Sequence, residues 1–482
     1  MLARKIAYNS IISIVARAIS TVVALVIIGI ITRHLGETGF GEYSIIISFL
    51  YIFTVLADLG LYQITIREIS KEGADEAKIA SSAFILRSLS GFFFFALASL
   101  VVLFFPYSRL VKIGIALAAP GFWSISSYQV LISIFQKYLR MDKVALAEIV
   151  GKVLQLCLVL VFIKQNYGFF SIVLAFTFGS LLNYVLILWF LRSYIRLKIE
   201  LDFKYIKRIL KESYPLAISA ILIMIYFKLD AVMLSIMPQR AGFGLSVHDP
   251  PYNVGIYSLA YRVLESLIFL PAMFVGLIMP LLSRYAFLNQ AAFKKIIQKT
   301  NDVLIIFIVP IIAGIVFLSS KIIWLMSGDG FSDSATILNI LSFATGVIFF
   351  GTLFGNTLIA LGKQNSLAYI YGIGAVFNFG MNLFVIPRYS YYGAAISTFL
   401  TEFLVTILMM VIMWRAIKYL PSFRLFYKSF FASIAMTPLF YFFESWNLFL
   451  LIFFGGLIYF IIFYLLGGIK FDELAVFLKK EN

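Results

Sequence analysis

The sequence contains few of the residues on which soluble enzymes and secreted domains depend. It has a single cysteine, Cys157, so no disulfide can form within the chain, and its two histidines, His34 and His248, lie in different predicted loops and suggest no metal cluster. A nucleotide-binding P-loop is also missing, because the nearest phrase, residues 355–364, has the wrong spacing and no hydroxyl residue after its lysine. Charged residues make up only 13% of the chain. These absences predict a protein that is not an enzyme and that uses no cofactor or metal.

Hydrophobic residues, in contrast, account for 62% of the 482 residues, and apolar runs of about 20 residues recur along the chain. A helix of that length crosses the ~30 Å hydrocarbon core of a bilayer with its backbone hydrogen bonds made internally. The sequence therefore predicts an all-α integral membrane protein with 14 transmembrane helices. The predicted spans are 11–32, 44–66, 79–106, 110–136, 144–163, 168–191, 214–236, 254–283, 301–324, 335–361, 366–387, 390–414, 427–443 and 446–467.

The basic residues are distributed unevenly across the predicted membrane. Of the 39 lysines and arginines, 27 lie in loops on the side that holds the N-terminus, 7 lie on the opposite side and five lie deeper in the spans. Cytoplasmic loops of membrane proteins carry the excess of basic residues, so this distribution predicts that both termini are cytoplasmic. It also explains the net charge of +16 without a nucleic-acid partner.

Two short motifs recur at equivalent points in the order of spans. Residues 41–44 (Gly-Glu-Tyr-Ser) open span 2 and residues 255–258 (Gly-Ile-Tyr-Ser) open span 8, while Tyr-Gly opens span 6 at 167–168 and span 12 at 392–393. Six spans precede the second copy, so both halves have the same orientation in the membrane. Such repeats are typical of alternating-access transporters, whose substrate site lies between the two halves.

The repeat divides the chain into four predicted segments. We expect an N-terminal lobe of six spans at 1–192, a basic cytoplasmic linker at 193–213 and a C-terminal lobe of six spans at 214–425. Two helices without a repeat partner and a cytoplasmic tail follow at 426–482. The linker fits either an amphipathic helix on anionic headgroups or a connecting loop whose charge only sets topology.

Charged side chains within the spans mark the candidate functional site, because each costs at least ~2.5–3.5 kcal/mol unless it faces a partner or water. The cations are Arg17, Arg87, Lys152, Lys228 and Arg262, and the carboxylates are Asp58, Glu148, Asp230, Glu265 and Glu402. Polar residues at helical spacing accompany them, which favours a wet cavity, although small and hydroxylated residues also serve ordinary helix packing.

The sequence leaves alternatives open for some of these charges. Glu148 with Lys152 and Arg262 with Glu265 are spaced along one helix face, so each pair could form a structural ion pair. Lys228 and Asp230 are ~200° apart on a helix and cannot share a face. Asp230 is the better cavity candidate, because Lys228 lies near the outer end of its span and could extend to the membrane surface.

Two longer stretches carry a resemblance to a known family. They are 228–230 (Lys-Leu-Asp) leading to 254–262 (Val-Gly-Ile-Tyr-Ser-Leu-Ala-Tyr-Arg), and 392–402 (Tyr-Gly-Ala-Ala-Ile-Ser-Thr-Phe-Leu-Thr-Glu). With its 6+6+2 plan of helices, the whole chain resembles the polysaccharide-exporter branch of the multidrug/oligosaccharidyl-lipid/polysaccharide flippase superfamily, and most closely its Wzx-type O-antigen flippases.

The resemblance implies a function in polysaccharide or lipopolysaccharide biosynthesis. A protein of this kind would move undecaprenyl-pyrophosphate-linked oligosaccharide from the cytoplasmic to the outer leaflet of the bacterial inner membrane by alternating access. The implied partners are that substrate, the membrane lipids, H⁺ or Na⁺ as a coupling ion, and the polysaccharide polymerase and glycosyltransferases. The rivals are a multidrug/cation antiporter of the same superfamily and a membrane-embedded sugar-transfer enzyme. The antiporter is disfavoured because basic cavity residues suit an anionic substrate and such exporters usually have twelve helices.

Within that resemblance, the charged residues acquire expected roles. Arg17, Arg87 and Lys152 lie toward the cytoplasmic ends of three N-lobe helices, and with Lys228 and Arg262 they would bind the pyrophosphate and sugar headgroup. Lipid II flippases of the superfamily use cavity arginines, one of them on the first helix, to which Arg17 corresponds in helix and depth. The five carboxylates are candidates for carrying H⁺ or Na⁺, because desolvation favours their neutral form. The two C-terminal helices would form either an apolar groove for the polyprenyl tail or a packing or oligomerisation appendage.

Overall fold

The computed structural model of the protein describes residues 2–58, 60–71, 73–197, 221–222, 227–238 and 248–468. Within these ranges the chain forms helices and no strand, which confirms the all-α prediction. The helices are α1 (Leu2–Asp58), α2 (Leu61–Ile69), α3 (Glu76–Val101), α4 (Arg109–Gln129), α5 (Ile132–Lys137), α6 (Met141–Lys164), α7 (Phe169–Leu191), α8 (227–236), α9 (Pro250–Leu288), α10 (Gln290–Ser327), α11 (Ser332–Ala360), α12 (Gln364–Ile417), α13 (Arg424–Phe442) and α14 (Leu448–Leu465). Most of the predicted linker 193–213 and the first part of predicted span 7 lie outside the described residues.

Polar residues in the predicted loops or at their edges start several of these helices. The side chains of Asp75, Ser108, Asn289 and Asn447 each accept a hydrogen bond from a backbone N–H in the first turn of α3, α4, α10 and α14, respectively. Such N-caps satisfy donors that would otherwise be left unpaired at a helix start. The loops recognised in the sequence therefore also determine where these helices begin.

Two helices are long enough to hold two predicted spans each. The 57 residues of α1 and the 54 residues of α12 would each extend for roughly 80 Å as straight helices, well over twice the hydrocarbon thickness. Each contains one residue with non-helical backbone torsions, Gly36 (φ 65°) in α1 and Ser390 (φ 51°) in α12, close to the predicted loop. In the described residues, ten helices are long and apolar enough to cross a membrane. The count of fourteen spans and the cytoplasmic termini remain predictions.

Two predicted spans are interrupted in the structure. Span 44–66 breaks between α1 and α2 at Gly60, whose left-handed conformation (φ 68°) favours a residue without a Cβ. Span 110–136 breaks between α4 and α5 at Val130 and Leu131. The sequence pattern did not reveal either break, because hydrophobic residues continue through both.

The chain forms two compact units. The first contains Met1–Ser258 and Asn382–Ala394, and the second contains Leu259–Met381 and Ala395–Asn482. In the first unit, α4 and α6 each pack against both α1 and α7, and α3 packs against α1 and α4. In the second, α10 packs against α11 and α13, and a buried apolar cluster built largely from α10, α11 and α12 forms the core. The division of the chain into lobes at 1–192 and 214–425, which was inferred from the sequence repeat, remains a prediction.

The two C-terminal helices are attached to the second unit through α10. Leu318 of α10, Phe440 of α13 and Phe463 of α14 belong to one buried apolar cluster. Its polar centre is Tyr459, which shares a 2.7 Å hydrogen bond with Ser429 and donates to the Ile306 carbonyl at 2.9 Å. This packing gives α13 and α14 a fixed position on one helix.

Candidate functional site

A fully buried carboxylate lies in the first unit, in the short helix α8. Asp230 is 1% exposed; its Oδ2 accepts a hydrogen bond from the Tyr257 hydroxyl at 3.1 Å and its Oδ1 accepts one from Asn382 Nδ2 at 2.5 Å. The three residues come from α8, α9 and α12, so the carboxylate joins helices that are distant in sequence. Buried carboxylates with such neutral oxygen-bearing neighbours can take up a proton or a small hard cation.

The lysine two positions earlier points elsewhere, as the helical spacing predicts. The Lys228 ammonium lies over the ring of Tyr51 in α1, 5.0 Å from its centre, and Tyr51 in turn meets Phe122 edge-on at 5.3 Å. A cation over an aromatic face is stabilised by the ring quadrupole. Lys228 therefore connects α8 to α1 and is half-buried in this structure.

Polar groups from several helices of the first unit meet around Tyr128 of α4. Its hydroxyl accepts a hydrogen bond from Asn183 Nδ2 of α7 at 2.9 Å, and it lies within electrostatic reach of Glu148 on α6 and Arg17 on α1. The Arg17 side chain is exposed and makes no ion pair within the described part of the chain. An exposed arginine in a membrane-capable helix needs water or an anion beside it. We call Arg17, Tyr51, Tyr128, Glu148 and Asn183 the N-unit polar cluster.

The possible ion pair on α6 is not formed. No salt bridge joins Glu148 to Lys152 among the residues that the structure describes, and both side chains are half-buried. Between them, Gly151 lies so close to α7 that an added Cβ would be 2.7 Å from the Gly179 carbonyl oxygen. Because α6 and α7 approach closely at Gly151, Asn183 of α7 lies next to the helical turn of α6 that carries Glu148. This proximity is consistent with both residues belonging to the N-unit polar cluster.

Arg87 of α3 is fully buried and bound by protein oxygens. Its guanidinium forms an ion pair with Asp58 and donates to the backbone oxygens of Asp58 (2.6 Å) and Ser126 (2.9 Å) and to Gln129 Oε1 (2.8 Å). Asp58 ends α1 and Gln129 ends α4, so one arginine caps two helices where their spans break. Headgroup binding by Arg87 would require some of these bonds to open.

In the second unit, the predicted pair on α9 is present. Arg262 Nη1 donates to Glu265 Oε2 at 2.9 Å, and the two side chains are 25% and 31% exposed. Both the structural interpretation and the cavity interpretation are compatible with this pair, because an ion pair that solvent can reach can exchange its partner for a ligand anion.

Glu402 of α12 is a buried carboxylate in the second unit. It is 5% exposed and lies within electrostatic reach of Tyr371. On the other half of α12, before the kink at Ser390, Asn378 donates weak hydrogen bonds to Thr401 Oγ1 (3.3 Å) and Ser397 Oγ (3.5 Å). This region is polar, buried and formed by the two halves of one kinked helix.

The sequence pattern missed several residues that complete these groups. Asn382, Tyr128 and Asn183 were not identified as site residues, although Asn378 and Asn382 stand one helical turn apart in an apolar run. A pair of asparagines at that spacing in a span is a signal that could have been read. Tyr257 belongs to a repeated motif that was interpreted only as a mark of the repeat.

Known structures resemble this fold over nearly the whole chain. A lipid II flippase, MurJ, in an inward closed conformation matches 96% of this chain and 100% of its own, with a TM-score of 0.78 at 17% identity. An inward-facing multidrug resistance transporter of the MATE family matches 83% of this chain and 94% of its own, with a TM-score of 0.66 at 16% identity. At these identities the likeness establishes the fold.

Similarity in sequence is more specific. A candidate O-antigen transporter of Shigella flexneri is 24% identical over 407 residues, which cover 81% of this chain and 93% of that protein. The capsular polysaccharide biosynthesis protein CapF of Staphylococcus aureus is 24% identical over 286 residues, which cover 58% of this chain and 69% of that protein. The profile of the family described as "Polysaccharide biosynthesis protein" matches residues 6–286. The chain therefore belongs to this polysaccharide biosynthesis family, and it is a multi-pass protein of the inner membrane.

Proposed function

We propose that this protein moves undecaprenyl-pyrophosphate-linked oligosaccharide from the cytoplasmic to the outer leaflet by alternating access. The observation that carries the proposal is the N-unit polar cluster, in which Arg17 has no ion-pair partner among the described residues and adjoins hydrogen-bonding groups. An anionic headgroup with sugar hydroxyls has matching chemistry, because arginine binds phosphate oxygens and carboxylate and amide groups bind hydroxyls. Family membership and the relatives in O-antigen and capsule formation support the same substrate class.

Within this proposal, the cations divide by their environment. Arg17 and Lys152 would contact the pyrophosphate first, because one is exposed and the other half-buried. Lys228 and Arg262 could join once they leave Tyr51 and Glu265. Arg87 would join only in a conformation in which its bonds to the ends of α1 and α4 are broken.

An ion gradient would drive the transport, with Asp230 as the first candidate among Asp58, Glu148, Asp230, Glu265 and Glu402. Asp230 is supported because it is the least exposed of the five and accepts hydrogen bonds from α9 and α12. Binding of H⁺ or Na⁺ would neutralise a charge that is costly to bury and would weaken both hydrogen bonds. A change of charge at a junction of three helices can alter their packing, which is what coupling requires.

The polyprenyl tail would remain in an apolar environment beside α13 and α14. Both helices display large aromatic side chains on their outer surfaces, for example Phe431 (60% exposed), Phe442 (76%) and Phe453 (63%). Keeping the tail against such a surface avoids exposing methylene groups to water, at ~0.8 kcal/mol each. Gly455 of α14 faces the Phe440 ring of α13 and so serves the contact between the two helices.

A deletion and complementation experiment tests the proposal. Bacteria that lack their own copy should lose surface polysaccharide and accumulate lipid-linked oligosaccharide on the cytoplasmic side, and the parent protein should reverse both effects. Arg17→Ala should fail to complement, whereas the matched control Arg109→Ala, an exposed arginine at the start of α4, should succeed. Normal surface polysaccharide in the deletion strain would contradict the proposed function.

A further inference from the structure

The two copies of the Gly-x-Tyr-Ser motif touch each other through their glycines. Gly41 lies in α1 after the kink, Gly255 lies near the start of α9, and both belong to the first unit. A Cβ added to Gly41 would overlap the Pro251 carbonyl oxygen, and one added to Gly255 would overlap the Glu37 carbonyl oxygen. The same added atoms would lie 3.1 and 3.2 Å from the backbone nitrogen of the opposite glycine. The two helices therefore cross with backbone against backbone.

The contact is reciprocal, and the sequence repeat explains why. Position 251 follows position 37 by the same 214 residues that separate 255 from 41. Each copy thus presents the same pair of positions, a glycine and the residue four before it, to the other copy. Such self-complementary contacts are typical of a local two-fold relationship. The reciprocal contacts of Gly41 with Pro251 and of Gly255 with Glu37 therefore indicate a specific contact between the two copies of the motif.

The residues beside the two crossing glycines are also buried. Phe40 and Tyr43 beside the first glycine are 0% and 3% exposed, and Val254 and Ile256 beside the second are both 0% exposed. Glycine allows carbonyl oxygens to approach Cα–H groups, a weak attraction that recurs at close helix crossings. The apolar flanks and the contact between backbones leave no passage for a polar headgroup at this point.

Resting on the proposed function, we propose that the Gly41–Gly255 crossing is the closure on the predicted outer side, and that it separates each time the flippase opens outward. Its position supports this assignment, because Gly36 and Pro250, which precede the two crossing segments, fall in predicted outer loops. The closure is held by small contacts along two helices, without an ion pair between the two segments in the part of the chain that the structure describes.

The crossing is connected directly to the buried carboxylate. Tyr257 stands two residues after Gly255 in the motif and donates to Asp230, which is also held by Asn382. While Asp230 is charged, these hydrogen bonds fix the first turns of α9 in the closed position. Uptake of a cation or proton weakens them and shifts the equilibrium toward separation of Gly255 from Gly41. The motif thus couples ion occupancy at Asp230 to the closure.

Thiol labelling of a buried reporter tests this proposal. Ser44, in the same motif, is 2% exposed, so Ser44→Cys in a Cys157→Ser background should react slowly with an impermeant maleimide added to spheroplasts. Gly41→Ala should raise the labelling rate about tenfold or more, because its methyl group forces the helices apart. The matched controls are Gly39→Ala, whose Cβ would meet only Leu35 side-chain atoms, and Gly276→Ala, whose Cβ would meet nothing within 4 Å; neither should change the rate.

Further variants test the glycine contact and its link to Asp230 separately. Gly255→Ala should act like Gly41→Ala, and the double variant should label within about twofold of the faster single variant, because both remove one contact. Tyr257→Phe should also speed labelling and make its rate independent of H⁺ and Na⁺ concentration. Unchanged labelling in a folded Gly41→Ala protein, judged by its elution as a single species in detergent, would overturn the closure. If Gly41→Ala does not fold, Gly255→Ala with the reporter Ser258→Cys (8% exposed) takes its place, and unchanged labelling there would overturn the closure in the same way.

These results do not depend on transport. Labelling reports the closure without substrate, whereas surface polysaccharide reports the proposed function. Faster labelling only from the cytoplasmic side would overturn the outer assignment. Loss of export with unchanged labelling would overturn the closure and leave the flippase proposal standing.

Discussion

The replacement Arg87→Met gives the sharpest test of how the first unit is stabilised. It removes the guanidinium from a fully buried site and keeps an unbranched side chain of similar length. The Asp58 carboxylate loses its ion pair, and three further acceptors, the carbonyls of Asp58 and Ser126 and the amide oxygen of Gln129, lose their donor. Breaking a buried pair in this way costs about 3–5 kcal/mol. Because the Asp58 side chain is 27% exposed, solvent offsets part of the loss, so we take the lower end, about 3 kcal/mol.

That loss should be visible in thermal unfolding. At ~2 °C per kcal/mol, it predicts a fall in the midpoint of roughly 6 °C or more, measured by tryptophan fluorescence of the purified protein in detergent. Arg17→Met is the matched control, because Arg17 is exposed and without an ion-pair partner in the described part of the chain. Its midpoint should stay within roughly 2 °C of the parent while export is lost.

A second replacement tests whether stability is lost because the Asp58 carboxylate is left without its ion-pair partner. Adding Asp58→Leu to Arg87→Met removes the unpaired charge and should recover much of the lost stability, since apolar replacements of buried ion pairs are often tolerated. An Arg87→Met protein as stable as the parent would refute the double-capping role. It would then favour the interpretation in which Arg87 is available to bind the headgroup.

Three other changes to the chain test the site and the C-terminal helices. Lys152→Ala should impair export while the protein stays in the membrane at the level of the parent, because the change removes a half-buried cation from the proposed headgroup site; normal export would remove Lys152 from that site. Asp230→Asn should abolish the dependence of transport on an imposed H⁺ or Na⁺ gradient, measured as export across a range of external pH and Na⁺; a dependence like that of the parent would exclude Asp230 as the coupling residue. Deleting everything after Arg424 should leave a folded protein that no longer flips full-length substrate, and a truncated protein with the normal rate would contradict the role of α13 and α14.

Much of the placement of charges could be predicted from helical geometry. The ~200° separation of Lys228 from Asp230 predicted different faces, and the structure buries Asp230 while Lys228 lies on Tyr51. A periodicity argument works here because it depends only on the helix that carries both residues. It could not supply Asn382, which is 152 positions away, because no local pattern states which helices become neighbours.

The ion pairs show the limit of spacing arguments. Arg262 and Glu265 form their pair, whereas Glu148 and Lys152 do not, although both spacings are permitted on a helix. The choice depends on what else each side chain can reach, and the Tyr128 region offers Glu148 an alternative environment. Spacing shows that a pair is possible; packing decides whether it forms.

Arg87 shows why a buried charge cannot be assigned from sequence alone. The requirement that it avoid lipid was sufficient to predict a polar environment, and the structure provides one. Whether that environment is a substrate or the protein itself depends on the ends of α1 and α4, which exist because two apolar stretches break, one at Gly60 and the other at 130–131. The conformation at Gly60 gives the first break a local cause, but the second has no comparable residue in the sequence.

The most direct test of the central claim is a flipping measurement with purified protein. Proteoliposomes of bacterial phospholipid would carry a fluorescent undecaprenyl-pyrophosphate-linked oligosaccharide in the inner leaflet, with a glycosidase outside to report its arrival in the outer leaflet. We predict that the parent protein delivers the sugar to the enzyme at a rate that depends on an ion gradient, and that Arg17→Ala does not. No difference between parent proteoliposomes and protein-free liposomes would contradict the proposal, as would sugar released from its lipid without the external enzyme.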